Sequence, residues 1–164
     1  VKENMINKKL GMMAVALMIL FAVAPAFAAT TASQSVTVNV APTIAISVDN
    51  NALTYNLNAD GIGSTQNFNV RSYSNVRTDM TISASALSTP AGSDPLGLSD
   101  FTWVATGGNS GALSTGSQTL ISNVAKAPKN GFTAVPVSLT VAAPFGTDPG
   151  AYSTTITYTI TQHS

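Results

Sequence analysis

The 164-residue sequence contains no cysteine, which excludes a disulfide framework, a thiolate nucleophile and a cysteine-ligated metal. Glutamate occurs once, at Glu3, and the six aspartates lie apart at Asp49, Asp60, Asp79, Asp94, Asp100 and Asp148. Five of them sit among turn formers, so nothing in the spacing pairs two carboxylates for glycoside hydrolysis. The lone histidine, His163, is second from the end, where termini fray and a triad base or metal ligand is not expected. With these absences the chain does not read as an enzyme. Charged residues make up only 9% of the sequence. Beyond the first 28 residues the basic side chains are Arg71, Arg77, Lys126 and Lys129 against six aspartates, a net of about −2. No basic stripe is left to neutralise a phosphate backbone, so nucleic acid is not an expected partner. An N-x-[ST] acceptor for N-linked glycan is also missing.

What is present is 45% apolar residues, enough for a core, in a polar background of threonine, serine, asparagine and glycine. At the N-terminus Lys8-Lys9 precedes an apolar run, Leu10–Val23, that Pro25 breaks before Ala26-Phe27-Ala28. A basic segment, an apolar helix and an A-x-A site together predict a secretory signal peptide over 1–28, with the single domain following over 29–164. A retained membrane anchor is the weaker alternative, because the run is short for a bilayer. A pilin-like leader cut after Gly11 is another, though its persistent helix would not be expected to end in A-x-A. On the first reading the protein is secreted or displayed at the cell surface, and meets the membrane only through the cleaved leader.

No stretch after the leader has helical periodicity, whereas alternation with a period of two recurs. The clearest case is Tyr152–Thr161, where Tyr152, Thr154, Ile156, Tyr158 and Ile160 share one face and hydroxyl residues the other. Val36, Val38 and Val40 alternate likewise, as do Ile44, Ile46 and Val48, and Ala41-Pro42 between them predicts two short strands or one kinked strand at a sheet edge. Leu53, Tyr55 and Leu57 predict the next strand, followed by a loose connection through Ile62–Thr65. Further strands are expected around Phe68 and Val70, Met80–Ala84, Phe101–Val104, Thr119–Ile121 and Val135–Val141, with a long loop over Ser85–Ser99 and a turn at Gly107–Gly111. Seven to nine short strands spaced by turn residues predict an all-β fold, an antiparallel two-sheet β-sandwich of Ig-like, Greek-key type.

Two groups of residues invite a functional reading. Asn56, Asn58, Asp60 and Gly61 follow the opening of a calcium loop, in which alternating oxygens wrap the ion and glycine makes the turn. The first ligand is Asn56 instead of aspartate and Asn67 stands where the bidentate acid belongs, so an Asx-type turn is the stronger reading. Asp94 and Asp100 are further weak calcium candidates, and no other cofactor is indicated. The outward threonine rows read as a solvated strand face, with O-glycosylation or a flat binding face as sharper alternatives. Phe101 and Trp103 form an aromatic pair that anchors either a core or an interface.

The leader, Val36-Thr37-Val38-Asn39-Val40 with Ile44–Val48, Leu53-Thr54-Tyr55, Asn67–Asn75, Met80–Leu87 and the closing Pro149-Gly150-Ala151-Tyr152 run with its Thr-rich strand together resemble secreted β-sandwich proteins of bacterial and archaeal surfaces. Among these are WxL-type wall-binding domains, TasA-like proteins and donor-strand fibre subunits. Trp103-Val104-Ala105 departs from the Trp-x-Leu motif, which argues against wall binding of that type. The resemblance implies a non-enzymatic structural protein, a surface or filament subunit that self-associates or binds other surface proteins. Val36, Val38 and Val40 are then the candidate donated strand, and the last strand a candidate part of the accepting edge. The alternative is a monomeric module that binds wall polysaccharide or a surface protein through Phe101, Trp103 and the Pro90–Asp100 loop.

Overall fold

The computed structural model describes residues 33–164. The leader expected over 1–28 lies outside the described residues. The chain divides into two units, Val1–Asn39 and Val40–Ser164. Of the first, residues 33–39 are described and form neither strand nor helix.

The second unit is built from eight strands: β1 (Ile44–Val48), β2 (Gly63–Ser74), β3 (Thr78–Ala84), β4 (Phe101–Ala105), β5 (Ser110–Ala112), β6 (Gln118–Val124), β7 (Thr133–Ala142) and β8 (Ile156–Gln162). A single turn of 3-10 helix, Leu98–Asp100, precedes β4. All pairings are antiparallel. One sheet has the order β1-β2-β7-β4-β5 and the other β6-β3-β8. The expected two-sheet, all-β architecture is therefore observed.

Period-two patterning decides what lies between the sheets. Phe68 and Val70 of β2, Trp103 and Ala105 of β4 and Val135, Val137 and Leu139 of β7 are buried together with Met80, Ile82 and Ala84 of β3 and Leu120 and Val124 of β6. The alternating residues of the same strands face outward, Thr102 and Val104 on β4 for example. Met80, Ile82 and Leu120 are fully buried, so the middle of the three-stranded sheet is its best-packed part.

Pro136 stands inside the central strand β7, a position where a missing N–H normally costs a ladder bond. Its carbonyl accepts from Thr106 N at 2.9 Å, which is one residue past the end of β4. In an antiparallel pair the N–H and C=O of a residue point the same way, so the absent donor falls where the chain is already turning away. Thr106 opens that turn, so β4 is not interrupted.

Four expectations about strands need correction. Val36–Val40 forms no strand, and the first strand begins only at Ile44. Leu53–Leu57 keeps its alternation, with Leu53, Tyr55 and Leu57 half-buried and their neighbours exposed, yet it joins no sheet. Gly63–Thr65, expected to be loose, opens β2, because Gly63 pairs with Ala142 and lets the Thr140 methyl lie 3.0 Å from where a Cβ would stand. Ser110–Ala112, expected as part of a turn, pairs with Thr102–Val104.

His163 is not frayed. Its Nδ1 lies 2.9 Å from both carboxylate oxygens of Asp79, and its backbone N–H donates to Arg77 O. Asp79 Oδ1 also accepts from Asn123 N at 2.8 Å, at a register shift between β3 and β6 where Asn123 takes a positive φ of 58°. Asparagine tolerates that left-handed conformation better than most residues. The Asn123 N–H first, and His163 second, hold the Asp79 carboxyl below its usual range.

Candidate functional site: an apolar groove beside the last strand

The strand that closes the chain is an edge. β8 pairs with β3 along Thr78–Ala84, and among the described residues no strand hydrogen-bonds to its other side. Its inward residues Ile156, Tyr158 and Ile160 are half-buried, in contrast to the fully buried Met80 and Ile82 beside them. Before β8 begins, the chain is held to the loop after β3: Ser88 and Ser153 exchange backbone hydrogen bonds of 2.8 and 3.1 Å, and Thr155 N donates to Ser85 Oγ at 3.0 Å.

Opposite this edge runs the extended segment Leu53–Leu57, here called the strap. It is fixed to the five-stranded sheet by side chains: Tyr55 Oη donates to Leu139 O at 2.9 Å, and Gln66 Nε2 donates to Thr54 O at 2.7 Å. Asp49 N to Asn69 O and Gly61 N to Ala143 O are the backbone hydrogen bonds at its two ends, and between them residues 50–60 make none to other backbone among the described residues. Ala52, Thr54, Asn56 and Asn58 are exposed, so water meets the N–H and C=O groups that have no ladder partner, as along the free edge of a sheet.

Between strap and β8 lies a groove of about 970 Å³. Leu53, Tyr55 and Leu57 form one wall, and Tyr152 and Thr154, in the run that enters β8, with Ile156 and Tyr158 the other, while Phe68, Phe101, Leu139 and Val141 of the five-stranded sheet line its floor. Tyr158 meets Phe68 edge-on, with ring centroids 6.1 Å apart and planes at 70°. Burial first, and the nearby Tyr55 hydroxyl second, push the Tyr158 phenol well above its usual range. Tyr55 is raised too, again by burial, with the Gln66 N–H opposing. Both phenols are therefore neutral, and the walls carry no charge from them at neutral pH.

The residues singled out in the sequence are dispersed by the fold. Val36, Val38 and Val40 are exposed, at 76%, 76% and 78% of their surface. Phe101 is half-buried and belongs to the groove floor. Trp103 is 2% exposed, inside the core, and so is out of reach of a surface partner: its position on β4 points toward the other sheet. Asn56 and Asn58 lie on the outward side of the strap, and Asp60 Oδ1 accepts from Ile62 N at 2.9 Å, the Asx-type turn. Asp100 Oδ2 accepts from Gly97 N and Asp94 Oδ2 from Ser93 Oγ at 3.2 Å, while the Asp94 backbone N–H donates to Asp148 Oδ2, so the Asp100 and Asp148 carboxylates brace loops. Among the described residues no three His, Cys, Asp or Glu side chains gather as a metal site would require.

Sequence reasoning missed the groove itself. Its wall residues are visible as inward positions of two strand-like runs, but nothing local signals that the two runs stay unpaired with each other. No family model, curated protein or solved structure matches this chain.

Proposed function

We propose that this is a non-enzymatic extracellular structural protein, a cell-surface or filament subunit that assembles by giving a β-strand to a neighbour. The observation that carries this reading is the state of residues 36–40. Three valines at every second position, separated by Thr37 and Asn39, are patterned for a half-buried strand, yet they stand exposed and unpaired. Donation to a sheet edge satisfies the backbone of both partners and hides the valines, the physics of strand addition. The Ig-like, Greek-key character of the sandwich, removal of residues 1–28 as a signal peptide and a surface location belong to the same proposal, as does the resemblance to surface fibre subunits.

The test compares chains Ala29–Ser164 and Asn39–Ser164 by size exclusion and electron microscopy. Filaments from the longer chain alone, restored to the shorter by an added Ala29–Val40 peptide, support donation; two equally folded monomers sink it. A monomeric binding module is the second reading. What favours it is an exposed aromatic cluster, Tyr73 and Phe132 with centroids 5.6 Å apart and the Arg71 guanidinium 4.4 Å from the Phe132 ring, a surface on which a wall sugar could stack. Retention on purified wall polymer, lost in Phe132→Ala, is its test.

A further inference from the structure

Resting on the strand-donation reading, we propose that the acceptor is the groove between β8 and the strap, and that its occupant is residues 36–40 of a second copy of this chain, inserted as a strand that hydrogen-bonds to both walls. Among the described residues each wall offers backbone without a ladder partner, the run Tyr152–Tyr158 that enters β8 along its free edge and the strap along Leu53–Leu57, where only Thr54 O is taken, by Gln66 Nε2. One strand placed between them satisfies both. It also evens the sandwich: the three-stranded sheet gains the donated strand and the strap, and so faces five strands with five. The floor of Phe68, Phe101, Leu139 and Val141 is apolar, and a segment with Val36, Val38 and Val40 on one side and Ser35, Thr37 and Asn39 on the other presents three aliphatic plugs to it and hydroxyl and amide groups to water.

Direction follows from the anchors. The strap descends from Asp49, bonded to Asn69, to Gly61, bonded to Ala143, while β8 runs back toward the β2–β3 turn, where His163 N meets Arg77 O. The two walls are antiparallel to one another, so the inserted strand is antiparallel to one and parallel to the other.

The other free edges of the sandwich are poorer acceptors. β5 is three residues long. β6 is already engaged on its outer side, where Asn109 donates from N to Leu120 O and from Nδ2 to Thr119 O. β1 remains as the rival edge.

The position of the donor root makes the assembly open-ended. Asn75 grips the chain just after Val40, donating from Nδ2 to Ala41 O at 2.9 Å and accepting from Thr43 N at 2.8 Å. The donor thus departs at the β2–β3 turn, whereas the groove starts at Val48 and Asn50 and extends toward Asn58 and Thr147, away from that turn. The length of β1 alone separates root from groove by roughly 17 Å at about 3.3 Å per residue. A contact between two different patches at different ends of a subunit is heterologous, and without ring closure it propagates as a head-to-tail filament.

Because the chain has no cysteine, paired single-cysteine variants report the contact directly. Full-length chains with differently sized tags, one carrying Thr37→Cys and the other Thr155→Cys or Thr157→Cys, are expressed, mixed and oxidised, and the mixed dimer is quantified on a non-reducing gel. All three positions are exposed, so the substitutions leave the fold intact. Outward neighbours on adjacent strands bring Cβ atoms within disulfide reach, so roughly tenfold more mixed dimer is expected than with Ser47→Cys on β1 or Thr119→Cys on β6. Val38→Cys, on the opposite face of the donor, links to neither Thr155→Cys nor Thr157→Cys. Filaments whose Thr37→Cys links instead to Ser47→Cys or Thr119→Cys overturn the groove assignment and leave strand donation standing. Absence of filaments from the unmodified chain overturns both.

Discussion

Replacing Val36, Val38 and Val40 together by alanine separates a residue that stabilises its own fold from one that stabilises an assembly. In the isolated chain the three side chains are exposed at 76–78%, so they are already hydrated and contribute little to folding. A change within about 0.5 kcal/mol in unfolding free energy is expected, as for surface substitutions in general. In the groove each valine loses its contact with water. Trimming valine to alanine removes the equivalent of two methylenes, about 1.6 kcal/mol at ~0.8 kcal/mol per buried methylene, and three such changes remove about 5 kcal/mol from the subunit contact. At about 1.4 kcal/mol per tenfold, the critical concentration for assembly rises by three to four orders of magnitude for the triple variant and about tenfold for one alanine. Sedimentation across a concentration series gives the first quantity and urea unfolding of the unassembled protein the second. Assembly at the unmodified concentration would refute the reasoning. So would a loss of several kcal/mol in the unassembled chain, which would place the valines in its own core.

Ile82→Ala, in the fully buried centre of β3, is expected to cost about 2–5 kcal/mol by urea unfolding, against about 0.5 kcal/mol or less for Val104→Ala on the outer face of β4. Because burial raises the Tyr158 phenol, folding favours its neutral form: that contribution is whole below pH ~10 and falls as pH rises through the folded value. Melting temperature should drop above pH ~10, and less so in Tyr158→Phe, which keeps the ring against Phe68. Asp79 has the opposite sign: its depressed value stabilises the fold above the ordinary carboxylate range and the contribution disappears as pH falls through the depressed value. Asp79→Asn should flatten the acid limb of the melting curve and, by releasing His163, speed amide exchange at the end of β8. Gly108→Ala should unfold at lower denaturant, because its Cβ would press on Leu120 O and stand 2.9 Å from Ile121 Cβ where the β4–β5 turn meets β6.

The strand faces were legible because they are local. Val135, Val137, Leu139 and Val141 are buried as their spacing predicts, and Tyr152–Ile160 alternates half-buried with exposed over its length. Element ends were less so. β2 starts at Gly63, five residues before the first large apolar side chain, because pairing with Ala142 and Val141 extends the ladder through Gly63 and Ser64, which have little β-propensity. β5, with Gly111 at its centre, is a strand only because β4 lies beside it; an added Cβ on Gly111 would stand 3.3 Å from the Trp103 indole.

Residues 36–40 and 53–57 show most plainly where the sequence stops. Alternation states which side chains share a face, and in both runs it is unmistakable. It does not state whether a partner backbone lies alongside, since that depends on residues far away in sequence, as Gln66 depends on Leu139 and Asp79 on Thr161. The sequence by itself determined the two-faced strands, the cysteine-free and charge-poor composition and an aspartate spacing in which no two carboxylates are paired along the chain. Only the tertiary structure decided that Trp103 is internal, that β8 is an edge, and that the strap stands off from it across an apolar groove. Periodicity is a property of neighbours along the chain, whereas pairing and burial are set by which surfaces the folded chain brings together.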